Sequence, residues 1–149
     1  MHSTTQDSLQ RFNYLFGETD ALYHELALKL GLSDSAMKIL YVICDTGEPC
    51  LLREICRRSG LSKQTLNSAL RKLEEEGTLF LESAGPRSKQ VRLTPAGRAL
   101  ADHTAREIIR MENAVFAGWP EQDVQTYLTL TECFLTDLRA RGADMGLLP

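Results

Sequence analysis

The 149-residue chain has no apolar run near the ~18–20 residues that span a bilayer, which excludes a membrane-crossing helix. Met1–Leu9 is polar, with neither a basic n-region nor an apolar h-region, so no secretory signal is expected. A cytoplasmic location follows as the expectation. Cysteine is sparse: Cys44, Cys50, Cys56 and Cys133 show no C-x-x-C spacing. That pattern fits neither a zinc ribbon nor a secreted disulfide framework, and reduced thiols are the default. Histidine is sparser still, with His2, His24 and His103. No Ser/His/Asp constellation, glycine-rich phosphate loop or paired-carboxylate pattern is present. An enzyme is therefore not expected, and neither a cofactor nor a metal is implied. Net positive charge is also missing, since 17 Lys/Arg face 20 Asp/Glu.

That last deficit conceals a segregation. From Cys50 to Arg98 the chain holds ten Lys/Arg against five Asp/Glu, a local +5. The remainder holds seven against fifteen, a local −8. A basic segment on an acidic body can bind phosphate while the body stays soluble.

The basic segment also has the most organised pattern. Leu51–Ser59 reads as a short helix with Leu52, Ile55 and Cys56 on one face, and Gly60-Leu61 makes a turn. Ser62 opens a second helix, SKQTLNSALRKLEEEG, which stops at Gly77. Leu66, Leu70 and Leu73 fall at i, i+4 and i+7 and face the core. Lys63, Gln64, Thr65, Asn67, Ser68 and Arg71 remain for the outer face, where they can reach base edges and phosphates. Thr65 and Ser68 can instead serve the helix backbone. Two β-prone runs follow, TLFLES and QVRLT, separated by AGPRSK. Arg87 and Lys89 in that tip can supply cations to a narrow groove. Arg53, Arg57 and Arg92 are candidates for phosphate contact. This order of parts is a winged helix-turn-helix, whose usual substrate is duplex DNA.

Long amphipathic helices flank the reader. Residues 5–30 form the first, with Leu9, Phe12, Phe16, Leu22, Tyr23, Leu26, Ala27 and Leu30 at helical spacing. Ser33 caps a second helix running to about Asp45. Pro95 opens a helix to about Phe116, and Pro120 opens a last one to about Arg141, in which Cys133 packs. The expected fold is mainly α, a single domain over 1–149. Its winged helix-turn-helix with a two-stranded β wing covers 33–94. The N- and C-terminal helices, 5–32 and 95–142, form a dimerisation region. Terminal helices paired across a two-fold axis would set two readers about one helical turn apart, matching a palindromic site.

This layout resembles the MarR family of bacterial transcriptional regulators. The resemblance rests on LREICRRSGLSKQTLNSALRKLEEEGTL, the wing, and VRLTPAGRAL. It covers essentially the whole chain and implies a homodimeric DNA binder, usually a repressor released by a small ligand or by oxidation. The family wing commonly carries an Asp that orients an Arg toward the minor groove. Here the tip is Ala84-Gly85-Pro86-Arg87-Ser88-Lys89, with no Asp. Oxidation-sensing relatives use a first-helix cysteine, which this chain lacks.

The family's ligand cleft points to Tyr23, His24, Tyr41 and His103 as candidate lining. Cys44 and Cys50 flank a short loop and are the candidate redox pair, while Cys56 reads as a packed, inert thiol. The implied partners are double-stranded DNA, a second copy of the chain and an unidentified small effector, with no membrane. Two alternatives remain: a redox-responsive, cysteine-based regulator, and a winged-helix protein-interaction module without DNA binding.

Overall fold

The computed structural model describes residues 4–149. Contacts divide the chain into two compact units, Met1–Ile109 and Arg110–Pro149.

In the first unit α1 (Thr5–Lys29) opens with a capping box. The Thr4 side chain accepts from Asp7 N, and the Asp7 side chain accepts from Thr4 N. Ser33 caps α2 (Asp34–Thr46), the core helix of the unit, which buries Met37, Ile39, Leu40, Val42 and Ile43. A two-residue strand, β1 (Cys50–Leu51), leads into α3 (Leu52–Ser59). Gly60, in the left-handed region at φ 68°, turns the chain. Ser62 then caps α4 (Lys63–Glu75) by accepting from Thr65 N. Leu66, Leu70 and Leu73 of α4 are buried, as their spacing requires. The wing follows as β2 (Leu79–Gly85) and β3 (Ser88–Leu93). They form an antiparallel hairpin with Leu79 opposite Leu93 and Glu82 opposite Gln90.

Two local expectations need correction. The sheet has three strands, in the order β1-β3-β2, because Cys50 pairs with Val91 and Leu51 with Gln90. Leu51 therefore belongs to a strand and only flanks the helix. A two-residue strand has no periodicity to read, so the sequence could not display it. The helix from Pro95 is also not continuous. It divides into α5 (Pro95–His103) and α6 (Ala105–Ala117) at Thr104, whose φ is −130° and ψ −89°. The Thr104 hydroxyl donates to Leu100 O at 2.7 Å, competing with the helix ladder. Ala101, Thr104, Ala105 and Ile108 are all buried, so the inward stripe keeps its phase through the kink and hides it.

The junction between wing and α5 is unusually tight. Thr94 caps α5 by accepting from Gly97 N at 2.9 Å. Its hydroxyl also reaches Gly77 O at 2.5 Å and Thr78 O at 3.2 Å, and Thr94 N donates to Thr78 O at 3.0 Å. A Cβ at Gly97 would lie 1.8 Å from the Thr78 carbonyl oxygen, so only glycine fits there.

Glu48, in the loop before β1, braces the other edge. Its Oε1 accepts from Leu93 N at 2.7 Å, and Arg98 Nε donates to Oε2 at 3.1 Å. Partial burial pushes the Glu48 carboxyl up. Hydrogen bonds from Arg98 and Leu93 N, with the charges of Arg98 and Arg92, outweigh that and hold it below the ordinary Glu range.

In the second unit, α7 (Glu121–Asp144) follows Pro120, with Glu121 and Asp123 in its first turn. Trp119 packs edge-on against both Phe116 and Tyr127, with centroids at 5.5 and 5.6 Å. No residue of α7 is buried, and Cys133, expected to pack, is exposed. The apolar face of α7 is open too, as Tyr127, Leu128, Phe134, Leu135 and Leu138 are exposed.

Gly97→Ala should destabilise the fold by about 1–3 kcal/mol, because backbone atoms must move to admit one methyl group. A denaturant midpoint unchanged from wild type would contradict this close approach. A carboxyl held low in the fold contributes stability above its unfolded value and loses it as pH falls through the folded one. Thermal unfolding of the wild type should therefore weaken below about pH 5, and Glu48→Gln should flatten that loss. Identical pH profiles would rule out a share for Glu48.

Candidate nucleic-acid interface

The outer surfaces of α3, the start of α4 and the wing enclose an open groove of about 1050 Å³. Its floor is apolar, from Leu52, Cys56, Leu66 and Leu81. Its walls carry Arg53 and Arg57 from α3, Lys63 and Asn67 from α4, and Arg87 and Lys89 from the wing. Five cations thus face one carboxylate, Glu82. That carboxylate is already engaged: Arg92 Nε donates to Glu82 Oε1, and Gln90 Nε2 donates to the same oxygen at 2.6 Å. The Arg92 and Gln90 hydrogen bonds hold the Glu82 carboxyl below its ordinary value.

The ion pairs sort the basic segment into two sets. Arg57 and Arg58 bond Glu54, Lys72 lies 4.0 Å from Glu76, Arg92 pairs with Glu82, and Arg98 with Glu48. These five cations serve the fold. Arg53, Lys63, Arg71, Arg87 and Lys89 form no ion pair among the described residues. All five are exposed, and all are candidates named from the sequence.

The sequence candidates fare unequally. The structure brings Lys63, Asn67, Arg87 and Lys89 together around the groove, with Arg53 and Arg57 beside them. Gln64, Ser68 and Arg71 are exposed on α4 without lining the groove. Thr65 has a structural task, since the Ser62 hydroxyl donates to its Oγ1 at 2.8 Å within the α4 cap. Arg92 is drawn into the sheet by Glu82, which leaves it less free for phosphate. Sequence reasoning passed over Glu54 and Glu82, the acids that hold Arg57, Arg58 and Arg92. An acid three or four residues before a basic residue on a helix was the available signal for Glu54. The cross-strand partner of Glu82 needed the hairpin register.

The wing tip has its own geometry. Pro86 sits at the second position of the Gly85–Ser88 turn and Arg87, with φ 59°, at the third. Proline followed by a left-handed residue is the pattern of a type II turn, where glycine is usual. Holding an arginine there costs about 1–2 kcal/mol.

The structure places the effector and redox candidates on α1, α2, β1 and α5. His24 Nδ1 lies 2.6 Å from Asp34 Oδ2. Tyr23 is half-exposed on α1, Tyr41 packs against the core, and His103 is exposed in the last turn of α5. Cys44 and Cys50 are both free thiols. Burial pushes Cys44 up, and the Cys50 Sγ lies 3.2 Å from Thr46 Oγ1. Cys56 is half-buried and packs against the core. Among the described residues, no three His, Cys, Asp or Glu side chains are grouped to hold a metal ion. No described helix is long and apolar enough to cross a membrane.

Helix-turn-helix, wing and flanking helices define a winged-helix fold. Residues 30–87 match the MarR family. A MarR-family transcriptional regulator from Silicibacter pomeroyi is 26% identical, covers 89% of this chain and 90% of its own, and superposes with a TM-score of 0.70. A MarR-family regulator from Neisseria meningitidis superposes with a TM-score of 0.80 over 92% of this chain and 97% of its own, at 15% identity. BpsR of Bordetella bronchiseptica, whose structure concerns regulation of its DNA binding by 6-hydroxynicotinic acid, is 17% identical. It covers 83% of this chain and 98% of its own, with a TM-score of 0.61. No curated protein matches the chain in sequence. The chain is thus similar to MarR-family transcriptional regulators, in sequence over residues 30–87 and in fold over most of its length.

Ser62→Ala removes the cap that starts α4 and should cost about 1 kcal/mol. A helix-sensitive unfolding curve that does not move would show that the start of α4 is fixed by packing alone.

Proposed function

We propose that the protein is a homodimeric, sequence-specific DNA-binding regulator that represses promoters at palindromic sites and is released by a small ligand. The observation that carries this reading is the set of cations that form no ion pair among the described residues. Arg53, Lys63, Arg87 and Lys89 line one groove and Arg71 stands further along α4, in a chain that is acidic elsewhere. A solvated surface has little reason to collect them, whereas a polyanion gives each a partner. Lys63, Gln64, Asn67, Ser68 and Arg71 on α4 are assigned to the major groove, with Thr65 mainly capping. Arg87 and Lys89 are assigned to the adjacent backbone or minor groove, and Arg53 to phosphates, with Arg57 joining it only where it leaves Glu54. An interaction module without DNA binding would want an apolar or acidic outer face on α4. Lys63, Asn67 and Arg71 argue against that.

The exposed apolar residues of α1 and α7 support the dimer. Phe16, Leu22, Leu128 and Leu135 are among them, and a second copy is the simplest cover. Release by a ligand rests on the likeness to BpsR, whose DNA binding 6-hydroxynicotinic acid regulates. Tyr23, His24, Tyr41 and His103 remain the residues to probe for an effector of this chain.

Duplexes selected from a random library should converge on an inverted repeat with half-sites about one helical turn, roughly 34 Å, apart. Selection that enriches nothing would sink the sequence-specific reading. Arg71→Ala should weaken the enriched site more than random duplex, by about 1–3 kcal/mol. Arg87→Asn, which tolerates the left-handed backbone, should weaken both and reduce the salt slope by about one. A doubly substituted Leu128→Glu, Leu135→Glu chain should sediment as a 16.7 kDa monomer and lose the two-half-site complex.

A further inference from the structure

Glu48 lies outside the groove, yet it touches the base of the wing. The register of β1 explains why. Cys50 pairs with Val91 and Leu51 with Gln90, so carrying the antiparallel register on would set Glu48 opposite Leu93. Amides two residues apart on a strand face the same edge, so Val91 and Leu93 both present N–H toward β1. The strand itself begins only at Cys50, after Pro49. The Glu48 carboxylate therefore accepts the Leu93 amide at 2.7 Å, where a longer strand would have offered a carbonyl. A side chain supplies the missing rung of the ladder. The same carboxylate takes Arg98 Nε at 3.1 Å and a second guanidinium nitrogen at 3.4 Å, from the first turn of α5. The Glu48 side chain is 21% exposed, so the contact is partly shielded from solvent.

The opposite edge of the root is held by Thr94 and Thr78. Beyond the root the wing is a two-stranded ribbon with a register shift between Ser83 and Gly85. Such a ribbon is marginal alone, so its direction depends on its base.

We propose that Glu48 is a positioning residue for the wing. It joins the end of β3 to α5 and thereby sets where Arg87 and Lys89 stand relative to α4. The binding consequence rests on the DNA-binding reading above; the structural consequence does not.

The test has two arms. In the free protein, amide exchange is followed in wild type, Glu48→Gln and Glu48→Ala. Glutamine keeps an acceptor for Leu93 N but loses the charge pair with Arg98. Exchange at Leu93 and Val91 should rise roughly tenfold or more in Glu48→Ala and less in Glu48→Gln, while Leu40 and Leu70 stay protected. Unchanged exchange at Leu93 overturns the proposal, and so does an equal rise at Leu40 and Leu70, which marks general loosening. In the second arm, duplex affinity is measured for Glu48→Ala with the natural wing and with Arg87→Asn and Lys89→Gln. A loss of roughly tenfold with the natural wing, absent once the wing cations are gone, is the expected coupling. The same loss in both backgrounds overturns it. A wild-type chain that binds no duplex would instead remove the DNA reading, and the exchange arm would still decide whether Glu48 holds the wing.

Discussion

The reader depends on one junction, where Thr94 and Gly97 meet Gly77 and Thr78. There the end of α4, both ends of the hairpin and the start of α5 come within hydrogen-bond distance. Thr94 satisfies Gly97 N as a helix cap and, through its own hydroxyl and amide, the carbonyls of Gly77 and Thr78. Gly97 lets the α5 backbone lie against the Thr78 carbonyl with no Cβ between them. A hairpin between two helices could otherwise hinge at both ends. Closing its ends on each other removes one degree of freedom, and the Glu48 rung on the far edge of β3 restrains another. The wing wall of the groove is rooted in this way.

Charge on the reader follows a division of labour. Glu48, Glu54 and Glu82 each take arginines that hold structure: Arg98 at the wing root, Arg57 and Arg58 along α3, and Arg92 across the hairpin. Exposed pairs of this kind contribute little stability singly. Their larger effect is to remove acids from competition for the remaining cations. Glu74, Glu75 and Glu76 are confined to the far end of α4, away from its cap at Ser62. The net charge of −3 therefore says little about the charge of the groove between α3, α4 and the wing.

Much of this was legible in the residues because it is local. Ser33 and Ser62 announce their helices, Gly60 and Gly77 end theirs, and the leucine spacing of α4 separates its core from its outer face. The unread features depend on distance or compensation. Glu48 and Leu93 are 45 residues apart, and nothing near either marks the pair. β1 is too short to show alternation. The kink at Thr104 falls among small inward residues whose helical phase continues across it. The strands also run further than their β-prone residues, to Gly85 and from Ser88, because the Pro86–Arg87 turn needs only two residues.

The wing tip shows how a missing residue can be answered by backbone. A wing acid is present at Glu82, but it faces Arg92 and Gln90, leaving Arg87 without a carboxylate among the described residues. Pro86 and the left-handed φ of 59° fix instead the direction in which the Arg87 chain leaves the turn. An arginine steered by an acid arrives with its guanidinium already oriented. One steered only by its backbone keeps its rotamer freedom and loses up to about 2 kcal/mol of entropy on binding. Such a residue can contribute attraction to any phosphate-lined groove while discriminating weakly between sequences. On the proposed DNA-binding reading, sequence recognition then falls to α4, whose start is capped and whose leucines are buried, and the wing acts chiefly through charge.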